Sequence, residues 1–350
     1  MPRKTKIFSL LILVGLLSAG CVFQLGGGGG PVVAGVFKSF DKGETWAAKN
    51  LFLHSGGLGS IEGVNVLGLS FDPQDSRALY LNADGAGLLF SYDGADSWQK
   101  ANPVGNGKIE AAAVDPRNKC VIYATYGNTV LKTIDCSRNW VEIYLDAKAA
   151  TALAIDPSNN YVVFAGNDGG DLVKSENGGG NWQVVNRFGG RIAKILISPA
   201  SPKIVYLATK NKGLFKSQDS GATWNNINDG LKPYSGALEY KNLIFDLSLP
   251  DSLLLVSKYG LLKSNDGGAS WQPIKLITPP TMTDISAVAM NPKDNKEIYY
   301  ATQSTFYKTT DGGLNWVTKR LPTTAAAAAL LVDPNNPGVI YLGLANPSKK

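Results

Sequence analysis

Short apolar runs broken by turn residues recur along the chain at a near-constant interval. Each unit opens on an apolar strand, turns at a proline and resumes in a second strand. Ala111-Ala-Ala-Val-Asp115-Pro116 precedes Val121-Ile-Tyr-Ala, and Leu153-Ala-Ile-Asp156-Pro157 precedes Tyr161-Val-Val-Phe. Pro73, Pro199, Pro250, Pro292 and Pro334 mark the same turn elsewhere, which makes seven copies. A third strand then ends in Lys-Ser or Lys-Thr, and a fourth starts at a tryptophan. Four-stranded units repeated in this way predict propeller blades.

The tryptophans carry a second, tighter repeat. All seven, Trp46, Trp98, Trp140, Trp182, Trp224, Trp271 and Trp316, close the same short box. The box is Ser/Thr-x-Asp-x-Gly-x-Thr/Ser-Trp, as in Ser39-Phe-Asp41-Lys-Gly43-Glu-Thr45-Trp46. Its acidic position holds Asp41, Asp93, Asp135, Asp219, Asp266 and Asp311, with Asn177 in the fourth copy. A carboxylate there can close a turn by accepting backbone N–H groups two or three residues on. Gly43, Gly179, Gly221, Gly268 and Gly313 supply a site for positive φ. The indole is expected to be buried between neighbouring sheets. The boxes are thus structural.

The first box comes before the first proline turn, and no box follows the last. Strands near Val33–Lys38 and Thr45–Ala48 should therefore join those near Ala326–Val332 and Val339–Leu344. The expected fold is all-β: a seven-bladed propeller of four-stranded blades over residues 33–345, closed by both chain ends, with a tail at 346–350. Such closure leaves no open sheet edge at the seam.

The box resembles the Asp-box, or BNR repeat, of sialidases, of the sortilin ectodomain and of the Ycf48/HCF136 group of photosystem II assembly factors. The resemblance covers about Val33 to Leu344. It implies rim boxes without catalytic roles and a binding face opposite them.

Composition changes the picture mainly at the N-terminus. The chain has 350 residues and a net charge of +6, but Arg3, Lys4 and Lys6 supply three of those charges. The remainder is mildly basic and lacks the basic stripe of a nucleic-acid binder. Behind the three cations, Ile7 to Leu17 is an apolar run too short for an ordinary membrane span. Leu17-Ser-Ala-Gly-Cys21 resembles a lipobox, with Ser18 where leucine is commonest. The expectation is a lipoprotein signal peptide over 1–20, lipidation of Cys21, a glycine-rich tether over 21–32 and an extracytoplasmic, membrane-anchored location.

Two cysteines remain. A hairpin turning at Gly127-Asn128 brings Cys120 and Cys136 opposite each other, and export favours oxidation. A disulfide is expected, stapling the one box, Asp135 to Trp140, that lacks the usual glycine. The single histidine, His54, makes a metal site unexpected, and no cofactor is implied.

Proline turns and boxes should share one face of the disc. The other face should carry the short loops and the long connections Ala47–Val64, Asn225–Asn242 and Gln272–Asp284. Its candidate binding residues are Arg187, Arg191, Lys210, Lys212, Lys232, Tyr234, Lys241, Tyr259 and Arg320. A sialidase needs three arginines from different blades around a carboxylate, beside a Tyr–Glu pair and a general acid. Here Arg187 and Arg191 share one connection, and the first strand, Val36-Phe-Lys38-Ser39, lacks the Arg-Ile-Pro that opens such propellers. Xyloglucanase-like enzymes set two Asp-box propellers face to face, whereas this chain predicts one; Asp246 and Asp284, in neighbouring units, can still be tried as a carboxylate pair, though nothing in their context marks them. The favoured expectation is a non-enzymatic, membrane-anchored scaffold of the Ycf48-like type that binds a protein partner in or at the membrane. A glycan-binding propeller or a glycoside hydrolase is the alternative.

Overall fold

The computed structural model describes residues 33–101 and 105–346. The leader, Cys21 and the tether lie outside these residues, as do 347–350 of the tail.

Seven four-stranded antiparallel sheets form the molecule. Blade 1 runs through strands Asn65–Asp72, Asp75–Asp84, Leu88–Ser91 and Gln99–Lys100. Blades 2 to 6 repeat this order up to Val317–Arg320. Blade 7 takes its inner strands, Ala326–Val332 and Ile340–Ala345, from the C-terminus and its outer ones, Gly35–Ser39 and Ala47–Ala48, from the N-terminus. The seam pairs Gly35 with Leu344 and continues in register to Ser39 with Ile340.

Burial follows strand position. Second strands such as Val205–Thr209 and Leu253–Ser257 are buried at every residue, because a neighbouring blade covers each side. They are accordingly continuous apolar runs rather than alternating ones. Outer strands such as Gln183–Arg187 are exposed or half-buried throughout. The core is therefore distributed between blades. Phe164 and Leu172 of blade 3 pack with Ile195, Val205 and Leu207 of blade 4, for example.

Each box is a turn with two successive residues at positive φ, such as Lys42 and Gly43, Cys136 and Ser137, or Gly267 and Gly268. The acidic residue reaches further than expected. Asp41 Oδ1 accepts the N–H of Thr45 at 2.8 Å, and Asn177 Oδ1 that of Asn181 at 2.8 Å, four residues on rather than two or three. The opening hydroxyl accepts a second N–H, as from Gly43 to Ser39 Oγ at 2.8 Å. A third bond ties box to proline turn inside each blade: Lys42 to Gly338, Gly94 to Arg77, Cys136 to Cys120, Gly178 to Tyr161, Ser220 to Lys203, Gly267 to Asp251 and Gly312 to Lys296. Boxes and proline turns thus occupy one face, as the strand order requires.

A lysine–tyrosine clamp joins neighbouring blades at three of the seven junctions. Lys216 Nζ and Tyr206 Oη both donate to the Gly267 carbonyl of the next box, each at 3.2 Å. Lys132 and Tyr123 hold Gly178 in the same way at 2.7 and 3.0 Å, and Lys38 holds Gly94 at 2.9 Å. The gripped residue is glycine in all three. A Cβ on Gly267 would lie 2.5 Å from Lys216 Nζ and 2.9 Å from Tyr206 Oη.

The indoles depart from expectation. Trp98 and Trp271 are buried, whereas the other five are half-buried. Two of the three long connections cover the two buried rings; the third, Gln272–Asp284, leaves Trp316 half-buried with its indole N–H on Lys275 O at 2.8 Å. The first connection folds into a hairpin, Leu51–His54 with Gly57–Ser60, that was not anticipated. It runs beside Trp98, whose N–H donates to Leu51 O and whose carbonyl accepts from Leu53. The second carries a 3-10 turn, Asp229–Leu231, and Tyr234, whose hydroxyl donates to Trp271 O at 2.6 Å. These connections therefore wrap the outer edge of the next blade. Where they depart, the outer strand shrinks to two residues, Ala47–Ala48 and Asn225–Asn226, and the connection takes its place.

Cys120 and Cys136 stand opposite one another, Cα atoms 3.8 Å apart, with their sulfurs in bonding contact. Their hairpin pairs Ile122 with Thr133 and Tyr123 with Lys132.

Candidate functional site

The innermost strands of all seven blades surround a central channel of about 550 Å³. Each inner strand enters from the face opposite the boxes, so residues at its start and in the short loop after the second strand ring the channel's mouth there. In five blades the pairing of the first two strands slips by one residue near that end, between Val66 and Gly68, Ala150 and Ala152, Ile192 and Lys194, Tyr240 and Asn242, and Ala327 and Ala329. Such a bulge bends the strand and re-aims side chains. The residue after it is Gly68, Ala152, Lys194, Asn242 or Ala329, and all five line the channel.

Charge gathers at the mouth. Arg191 forms two bridges, to Asp168 at 2.7 Å and to Glu110 Oε2 at 3.0 Å, tying the starts of blades 2 and 4 to the loop after the second strand of blade 3. Glu110 also holds Lys108 at 2.6 Å. Lys241 pairs with Asp284. Lys210 lines the mouth without an acidic partner among the described residues. Lys210, Tyr240 and Lys241 also border a side cavity of about 470 Å³ that includes Lys258, Met282 and Asp284.

Of the residues expected on this face, the structure brings Arg191, Lys210 and Lys241 together. The others spread around the periphery. Arg187 ends the outer strand of blade 3 and pairs with Asp171 at 3.2 Å. Lys212 is exposed in the loop beyond Lys210. Lys232 pairs with Asp229 on the edge-wrapping connection. Tyr234 and Tyr259 pack edge to face with centroids 5.1 Å apart. Arg320 ends the outer strand of blade 6.

Lys194 was overlooked in the sequence. It is the one charged residue in Ile192-Ala-Lys-Ile-Leu-Ile197 and reads there as a solvent-facing strand position. Only ring closure turns that face into a channel. Burial lowers its pKa, and burial raises that of the Tyr240 phenol.

Asp246 and Asp284 do not converge. Asp246 follows the end of the inner strand Tyr240–Phe245 on the box side, buried beneath Lys263 at 3.0 Å and bonded by Ser248. Asp284 pairs with Lys241 near the start of that strand. Burial pushes the Asp246 carboxyl up, but the bonds from Ser248 and Lys263 outweigh it and hold it below the ordinary range. It is no general acid at neutral pH.

No family model and no curated protein matches the chain. Solved structures do. A GH74 enzyme from Niastella koreensis superposes with a TM-score of 0.68 at 18% identity, and a GH74 xyloglucanase from Xanthomonas campestris with 0.65 at 20%. In both, 81% of this chain is covered but only 51% of the enzyme, so the chain spans about half their length. YCF48 bound to a D1 peptide superposes with 0.60 at 17%, covering 81% of this chain and 94% of that one. At these identities the likeness establishes the fold, a seven-bladed propeller of the kind shared by GH74 enzymes and YCF48.

Proposed function

We propose that the protein is a membrane-anchored, extracytoplasmic scaffold that binds a protein partner through the face opposite the boxes. The observation that carries this reading is the mouth of the channel. Arg191, Lys210, Tyr240 and Lys241 of blades 4 and 5 meet there beside a second cavity, while Asp246 and Asp284 lie at opposite ends of one strand and Glu110 and Asp168 are both bound to Arg191. Channel mouths are where propellers commonly take ligands, although fold alone does not transfer function. YCF48, which this chain matches over nearly its whole length, has been captured with a peptide. Anchoring rests on the lipobox-like Leu17 to Cys21.

Affinity capture from native membranes tests this. The full chain should retain a partner that the double charge reversal Lys210→Glu with Lys241→Glu loses, while Arg187→Glu on the outer edge keeps it. Equal capture by the full chain and both variants would refute the mouth as the binding site.

A second reading, a glycan-binding or glycan-cleaving propeller, is favoured by the superposition on GH74 enzymes. Hydrolysis of any member of a chromogenic glycoside panel, abolished by Asp284→Asn, would support it and displace the scaffold reading.

A further inference from the structure

Lys194 lacks a counter-charge. Its ammonium makes no hydrogen bond or ion pair with any described residue. The acids around the mouth are engaged elsewhere: Glu110 and Asp168 with Arg191, and Asp284 with Lys241. At the matching register the other bulged blades carry Gly68, Ala152 and Ala329, none of which brings a charged or hydrogen-bonding side chain. The next blade carries Asn242 at that register. Asn242 Oδ1 accepts the Leu243 N–H at 2.9 Å, and its side-chain N–H groups donate to no described group. Tyr240, two residues earlier, lines the same channel, and its O–H donates to no described group. Three donors on the inner strands of blades 4 and 5 thus border one cavity, and none of them donates to a described acceptor. Leu69, Leu153, Ile195 and Leu330 supply apolar wall around them. Lys194 is half-buried, and a partly desolvated cation without a partner gains from an anion that joins it.

We propose that Lys194, Asn242 and Tyr240 form a carboxylate seat inside the channel, which takes an acidic group of a bound peptide. This rests on the reading that the mouth receives a protein partner, and names the chemistry by which it does so. Carboxylates fit because they accept several hydrogen bonds at once and gain most from a charged donor. The aliphatic wall suits the chain that carries the carboxylate, and Lys210 and Lys241 draw acidic segments toward the entrance.

Titration calorimetry on the full chain in detergent tests the seat with defined peptides. Acetyl-tetraalanine with a free C-terminus represents a chain end, and amidated acetyl-Ala-Ala-Glu-Ala-Ala an acidic side chain. Amidated acetyl-tetraalanine, which has no carboxylate, and inorganic phosphate are the controls. At least one carboxylate peptide should bind no less than tenfold more tightly than the neutral amide. Lys194→Met should remove that preference and Lys194→Arg restore part of it. Asn242→Ala should weaken it by about threefold or more. Unchanged thermal midpoints will show that Lys194→Met is folded, and removing an unpaired cation should not lower them. Equal binding of acid and amide peptides overturns the proposal, as does binding by Lys194→Met within twofold of the parent. So does phosphate binding without peptide binding, or no binding of any probe. Such failures with membrane capture intact would refute the seat and leave the scaffold reading standing; loss of capture would refute the scaffold reading itself.

Discussion

At the scale of single residues the boxes tie stability to acid pH. Hydrogen bonds from Asn139 to Asp135, from Thr223 to Asp219 and from Asn315 to Asp311 lower these carboxyls to about 2. The corresponding unfolded value is near 3.9. Folded-state pKa values below unfolded ones mean that the stabilisation is complete above about pH 4 and disappears as pH falls through about 2. Urea midpoints should therefore hold between pH 7 and 5 and fall steeply below 4. Asn177 offers the same Oδ1 without a charge, so the acidic position of the blade 3 box should contribute nothing to this titration. Asp219→Asn should flatten the acid limb, and a slope unchanged by it would contradict the assignment. The clamp glycines belong to this scale too. Gly267→Ala places a Cβ at φ +70 against Lys216 and Tyr206, and should cost at least about 1–2 kcal/mol in chemical denaturation. Gly312→Ala, also at positive φ but with open space around it, should cost less.

At the scale of elements, the role of an indole depends on what covers it. Trp98→Ala empties a fully enclosed site and should cost about 3–5 kcal/mol. Trp140 is half-buried, and its truncation should cost distinctly less when both variants are unfolded in guanidinium. Equal losses would mean that the edge-wrapping hairpin Leu51–Ser60 does not seal Trp98. The Cys120–Cys136 pairing is also an element-scale proposal. The mature protein should show no free thiol at either position, and Cys136→Ser should destabilise by about 3 kcal/mol, given a span of 16 residues. Two reactive thiols in non-reduced protein would refute it. What could be read in advance follows the same division. Seven tryptophans and seven proline turns are local signals, so blade number, strand order and the seam were legible. The hairpin over Trp98 was not, because Leu51 and Leu53 pair with a residue of the following blade and Gly56, Gly57 and Gly59 blur its pattern. Nor was the lysine–tyrosine clamp, which joins groups 61 and 55 residues apart in sequence.

At the scale of the whole molecule, closure creates the site. Lys194 and Asn242 sit at equivalent register on separate strands and share a cavity only because seven blades complete a circle. This is why a lone lysine in an apolar run gave no warning of its role, while Arg191 and Lys241, near blade connections, could be picked out. The sevenfold seam also predicts how function responds to damage. Weakening it with Val36→Asp, a fully buried position, should lower the thermal midpoint and abolish capture together.

The account is tested most directly by photocrosslinking in native membranes, with a photoreactive side chain placed at Lys210 in the mouth or at Ser220 on the box face. It predicts a discrete protein adduct from position 210 and none from 220. An adduct from 220 alone, or from both positions alike, would contradict it.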